Sequence, residues 1–401
     1  MSLLKNGILI SKSGFLLSLM LFSIFFTSYF VFSSVIPKYI IPSPEYRLTI
    51  QASFYFVIAV TLAVSSFIVD RINKLILIYT SPIATILLTV LLFLSPNVVL
   101  RITVLFGIGV FLSLGLLGFL AYFWKLTVPE ERGRISGFIG FVALPLNFIV
   151  AYLVSPSLDF LGAITLSIAI NSGILIIVLF HPKTTMMKEK KNEEGNHFEK
   201  RTILLYTIPW VVFSLVNGTL AKNASVSISQ QMSSSSYLFL LGLQFGGVIF
   251  GCIVGGIIAD FFGRRLSLAF SLTSYGTSTA LVGIFTSINV LSFVYVLNGL
   301  SWGILFTLYI FVVWGDLANG NNCAKMYSIG LATYYLTMGI GLLTQTSLPV
   351  VVSSLSTCLL VFLSIMPIVL APELLSPYFR ERMKMRQHMN AAKKISKQSK
   401  N

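Results

Sequence analysis

The groups able to do acid–base, nucleophilic or metal chemistry in this chain of 401 residues are few: 13 carboxylates, three histidines and three cysteines. Every carboxylate falls in a loop or at the rim of an apolar run, and His181, His197 and His388 lie outside such runs. Cys252, Cys323 and Cys358 are too scattered for a disulfide framework or a metal cage. Intramembrane catalysis needs acids, histidines or metal ligands brought together at depth. No catalytic residue, cofactor or metal is therefore expected, and the chain does not read as an enzyme. What the charged residues can do is fasten helix ends. Asp260, Gly263, Arg264 and Arg265 form one such set, with Asp70, Lys74, Glu130, Arg132 and Glu373 as its partners. A carboxylate gains about 0.3–1 kcal/mol at the positive N-terminus of a neighbouring helix. Arginine can reach Glu130, Glu131 or Glu373 through forked hydrogen bonds, and Gly263 permits a tight reversal. Such contacts would latch one face shut and must break when it opens. If the arginines served topology alone, neither Asp260 nor Gly263 would be required.

A second set is uncharged. Tyr29, Asn147, Asn171, Trp210, Asn217, Gln244, Asn298, Trp302, Tyr334, Tyr335 and Gln345 fall at mid-depth in apolar runs. Facing a common cleft, they could hydrogen-bond and stack on a neutral polar solute such as a sugar. Taken singly, each also reads as a helix-to-helix hydrogen bond. Asp159 and Arg101, both near a rim, are the nearest candidates for a charge relay. Trp124 and Trp314 read as interfacial anchors.

The elements that must position these groups are membrane helices. Hydrophobic residues make up 56% of the chain and charged ones 10%, where a soluble surface needs about 25%. Crossing about 30 Å of hydrocarbon takes roughly 20 apolar residues. Such runs occur near 14–36, 48–69, 75–95, 99–124, 135–155 and 159–181, then near 203–221, 235–259, 266–287, 289–314, 326–348 and 352–371. The first is too long for a signal peptide and lacks a cleavage site. The net charge of +15 would suggest nucleic acid in a soluble protein. With both termini inside, however, 24 of the 28 Lys and Arg fall on the inner side. The basic balance is thus topological and nucleic acid is excluded as a partner. The charged stretch 182–202 divides the chain into a bundle over 1–181 and a bundle over 203–371. A basic tail follows over 372–401, solvated or lying on anionic headgroups.

Sliding the second half onto the first by 190 residues aligns Asp70 with Asp260, Lys74 with Arg264, Trp124 with Trp314 and Pro182 with Pro372. Duplicated helical halves with a site between them are a common transporter plan. The eighth run carries Gly242, Gly246, Gly247, Gly251, Gly255 and Gly256 in two rows, which suits close helix packing or a sliding seam. Pro145 and Pro209 can kink the fifth and seventh runs. Asn223-Ala224-Ser225 fits a glycosylation acceptor.

Gly256, Asp260, Gly263, Arg264 and Arg265 resemble the loop signature Gly-x-x-x-Asp-x-x-Gly-Arg-Arg/Lys of the major facilitator superfamily. The first-half copy keeps Asp70 and Lys74 but carries Ser66 and Asn73 in place of its glycines. Pro129 to Arg134 and Pro372-Glu373 are similar to loop elements of that superfamily's sugar-porter branch. The resemblance implies an all-α fold of twelve transmembrane helices in two pseudo-symmetric bundles, with both termini cytoplasmic, in the cell membrane. Many proton-coupled relatives carry an acid in an early span, where this chain offers Thr27, Ser28 and Tyr29. The expected partners are a small-molecule substrate and the lipid bilayer, with a coupling ion left open. The expected function is alternating-access transport of a sugar-like or other small organic solute. Export of amphipathic compounds and a non-transporting scaffold or receptor are the alternatives.

Overall fold

A computed structural model describes residues 10, 12–41, 43–150, 157–180, 200–221, 232–285, 287–318, 322–344 and 350–374. Positions 182–199, the tail beyond Leu374, the sequon at Asn223, Gln345 and the three histidines lie outside them. Twelve long helices make up the described residues. In the first half they are α1 (Lys12–Phe30), α2 (Pro44–Val69), α3 (Lys74–Leu94), α4 (Val98–Leu126), α5 (Pro129–Phe148) and α6 (Phe160–Phe180). In the second they are α7 (Lys200–Val216), α8 (Ser234–Phe262), α9 (Arg264–Ile284), α10 (Ile288–Thr307), α11 (Cys323–Leu343) and α12 (Val350–Leu370). Wider π turns prolong α1 over Val31–Val35, α7 over Asn217–Ala221 and α10 over Leu308–Val312, the last leading into a short helix, Val313–Leu317.

Ten of the twelve are long and apolar enough by themselves to cross a bilayer; α5 and α9 are not among them. Both begin earlier than hydropathy suggests. The charged run Pro129 to Arg134, expected as a loop, forms the first turns of α5 and is buried. Its two arginines can be buried because each meets a carboxylate from another helix, as described below. The side chains left at the periphery are apolar: Phe67, Leu87, Phe250, Phe293 and Leu363 are each more than 60% exposed. An outer surface of this kind is at home in lipid. The chain is a multi-pass all-helical membrane protein.

Packing repeats with an offset of six helices. In each half the first helix contacts the fifth and sixth, the third contacts the fourth and sixth, and the second contacts the fourth. The two halves meet through α2 with α11 and through α5 with α8, which exchange under the same offset. Small residues decide how close these helices come. A Cβ on Gly251 would overlap the Leu300 carbonyl of α10, and one on Gly256 would overlap the Gly133 carbonyl of α5. One on Gly137 would lie 2.5 Å from the Cys252 carbonyl oxygen. The glycines of α8 therefore serve two seams, one inside the second half and one between the halves. Gly242 and Gly246 serve neither, since a Cβ there meets nothing within 4 Å.

The Gly251→Ala substitution should cost about 1–3 kcal/mol through overpacking. Gly242→Ala should leave stability unchanged or slightly raised. Thermal unfolding of the purified protein in detergent distinguishes them, and equal melting points would contradict the packing described.

Candidate functional site

The turn after α8 is a single residue. Gly263 has φ 104°, a region that suits glycine, and it places Asp260 and Arg264 one helical turn apart on either side. Neither side chain is exposed at all. Arg264 donates from Nη1 to Asp260 Oδ1 at 2.8 Å and from Nε to Asp316 Oδ2 at 2.8 Å. It also donates to the carbonyls of Ala259 and Pro129. Asp260 accepts from the backbone N–H groups of Gly133 (3.0 Å) and Arg134 (2.9 Å) in α5, and from Arg134 Nε at 3.2 Å. Asp316, at the end of α10, also receives Arg132 Nη1. Two carboxylates and three guanidiniums thus join α5 of the first half to α8, α9 and α10 of the second.

Breaking one partner from a buried pair costs about 3–5 kcal/mol, because the other charge is left stranded. Trp124 adds a neutral link across the halves, donating from Nε1 to the Gly315 carbonyl at 2.8 Å.

The counterpart in the first half is built on Asp70. It reaches across to α11, where it accepts from the backbone N–H groups of Ala324 (2.8 Å) and Lys325 (3.3 Å) in the first turn. The side chain of Asn322, which precedes that turn, does not cap it, so Asp70 supplies from the other half what the helix end lacks. Lys74 donates to the carbonyls of Val69 (2.7 Å), Asp70 (2.8 Å) and Ile72 (3.1 Å). Its bond to Val69 and that of Arg264 to Ala259 are related by the same 190-residue shift as Asp70 and Asp260.

Several expected partners take other roles. Glu373 meets the loop through its backbone. It accepts from the backbone N–H groups of Arg264 (2.7 Å) and Arg265 (3.1 Å) and so caps α9. The side chain of Arg265 is exposed, and its contribution is that N–H. Glu130 is buried beside the network, and its carbonyl accepts from Arg134. Trp314 is no interfacial anchor, being fully buried, and Trp124 is a cross-half donor. Asp159 and Arg101 form no ion pair among the described residues. Asp159 accepts from Gly162 N–H at the start of α6, and Arg101 donates to the Ser95 carbonyl while lying over the Phe160 ring.

Sequence reasoning passed over Asp316 as a latch residue because its position in the first half holds Leu126. Arg134 was likewise left out. Its signal was the Arg-Gly-Arg spacing, which turns two guanidiniums of one helix toward different neighbours.

At mid-depth, four of the expected residues share one aromatic chain between the halves. Tyr29 of α1 stacks on Tyr335 of α11 at 5.2 Å, Tyr335 meets Tyr334 at 5.5 Å, and Tyr334 stacks on Trp210 of α7 at 5.8 Å. Tyr55 of α2 and Tyr309 of the α10 π turn extend it, and neither was singled out in the sequence. The others sit apart. Gln244 donates to Asn298 at 2.8 Å, and Asn298 donates to Ser278 and Thr279. Asn217 accepts from Tyr275, Asn147 donates to the Phe26 carbonyl, and Asn171 donates to the Ser167 carbonyl. Trp302 stacks on Phe306 at 5.4 Å.

Asp316→Asn should leave Arg132 and Arg264 without their shared anion and loosen this face. Pulsed electron-resonance distances between labels on the α4–α5 and α10–α11 turns should lengthen in most molecules. An unchanged distance distribution would show that Asp316 does not hold the face shut.

No protein-family profile matches the sequence, and no curated protein matches it either. Solved structures do. A bacterial homologue of the iron transporter ferroportin, in an outward-facing state, is 14% identical, with 88% of this chain and 99% of that one covered at a TM-score of 0.69. The human organic anion transporter MFSD10 is 13% identical over 88% of this chain and 97% of its own, with a TM-score of 0.67. The proton:xylose symporter XylE of the major facilitator superfamily is 12% identical over 90% and 97%, with a TM-score of 0.62. These likenesses extend over nearly the whole of each chain. The protein has the major facilitator fold.

Proposed function

We propose that the chain is a secondary transporter that moves a small organic solute by alternating access, its two bundles tilting about a cleft between residues 14–181 and 203–371. One observation carries the reading. Among the described residues, buried ion pairs join the halves at one face alone, while the middle of the interface holds rings and neutral polar groups. A permanent scaffold gains nothing from burying ions that hydrophobic contacts could replace. A latch that must release gains reversibility.

In this reading the latched face is cytoplasmic, and the solute lies against Tyr29, Tyr335, Tyr334 and Trp210. A sugar-like solute is the leading candidate. Stacked rings suit the apolar faces of a sugar, hydroxyl and indole N–H groups suit its edges, and the xylose symporter shares the fold. The same uncharged aromatic chain supports export of amphipathic compounds as the second reading. Uptake of labelled sugars against efflux of a lipophilic dye in vesicles separates the two.

Two substitutions test the mechanism. Asp260→Asn should lower turnover at least tenfold while the protein still inserts, since the carboxylate that gathers α5 and Arg264 loses its charge; wild-type flux would remove the latch. Tyr335→Leu should raise KM about tenfold while Tyr335→Phe changes it little. A KM that ignores both would place the solute elsewhere.

A further inference from the structure

The two latches are related by the repeat but not by charge. Around Asp260 the arginines meet Asp316, and Glu373 covers the start of α9. Shifted back by 190 residues, those two acids become Leu126 and Lys183. The first latch therefore has Asp70 alone, and both its oxygens are taken by α11 N–H groups. Four cations stand on the segments that meet here: Arg71 in the α2–α3 turn, Lys74 opening α3, Lys125 at the end of α4 and Lys325 in the first turn of α11. Lys125 closes α4, which packs on both α3 and α11. Arg71, Lys125 and Lys325 are exposed. A cluster this positive, at a face where its twin is balanced, lacks anions.

We propose that this cluster binds the phosphate of an anionic lipid headgroup, which joins the α2–α3 turn of one half to α11 of the other. What lies beneath the cations selects a lipid over a free anion. Val64, Phe67 and Ile68 form one exposed apolar face of α2, and Ile76 continues it on α3; each is more than half exposed. Lys325 Nζ sits 5.8 Å over the Phe67 ring, so the headgroup cations and the acyl-chain surface meet at one place. Each basic residue near a membrane surface attracts anionic lipid, and several together act strongly. The bound phosphate does at the first latch what Asp316 and Glu373 do at the second. Anionic lipid accordingly favours the latched state, independently of which solute is carried.

The test is native mass spectrometry of the full chain released from nanodiscs containing equal phosphatidylglycerol and phosphatidylcholine. Wild type should retain phosphatidylglycerol preferentially. The Arg71→Gln/Lys125→Gln variant should bind it on the order of 10-fold more weakly. A control with the same charge loss on exposed residues at the start of α7, Lys200→Gln/Arg201→Gln, should bind as wild type does. Phosphatidylglycerol should also raise the melting point of wild type more than that of the first variant. Equal loss in both variants, or no preference in wild type, overturns the site. Displacement of the lipid by millimolar inorganic phosphate overturns the lipid in favour of a free anion.

Discussion

Arg264 is taken wholly out of water, and a guanidinium there persists because two carboxylates and two backbone carbonyls close around it. None of these partners suffices singly. Asp260 is itself held by N–H groups at the start of α5, and Asp316 is shared with Arg132. Each ion is thus kept in place by groups belonging to other helices. The buried start of α5 follows from satisfying this set. Such a set has one low-energy arrangement, and partial separation strands charge. It favours two discrete states over gradual loosening.

The duplicated plan is used unevenly. Asp70 and Asp260 both cross to a helix of the other half, yet the cluster at Asp260 is buried and rich in arginine while that at Asp70 is more exposed and rich in lysine. Arginine's planar fork holds two acceptors at once and tolerates desolvation better than an ammonium does. Lysine is suited to the wetter site, where Lys74 collects three carbonyls at the end of its own α2–α3 hairpin. The second-half latch is therefore the more rigid fastening.

Much of the fold was legible because lipid imposes a length on each span and topology a sign on each loop. The start of α5 was missed by the widest margin, because its polar residues belong to buried helix instead of loop. Hydropathy cannot see that, since it scores residues without their partners. At the site, the repeat led to Asp70, Lys74, Asp260 and Arg264, whose roles are local or repeated. It could not lead to Asp316, which has no counterpart in the first half. Nor could it show that Glu373 would cap the start of α9, because a helix N-terminus is as good a donor as an arginine. Among the polar residues, Tyr29, Trp210, Tyr334 and Tyr335 converge while Gln244 and Asn298 pair with each other. Residue type gives no warning of that difference, which depends on rotation about each helix axis.

The one-residue joint at Gly263 has a mechanical corollary. Two rods hinged through a single extended glycine have no slack, so α9 cannot stay still when α8 leans. Glu373, clasping the first amides of α9, is then dragged along, and with it the strand of chain that follows the last helix. A displacement of α8 would in this way be felt at the residues that follow α12.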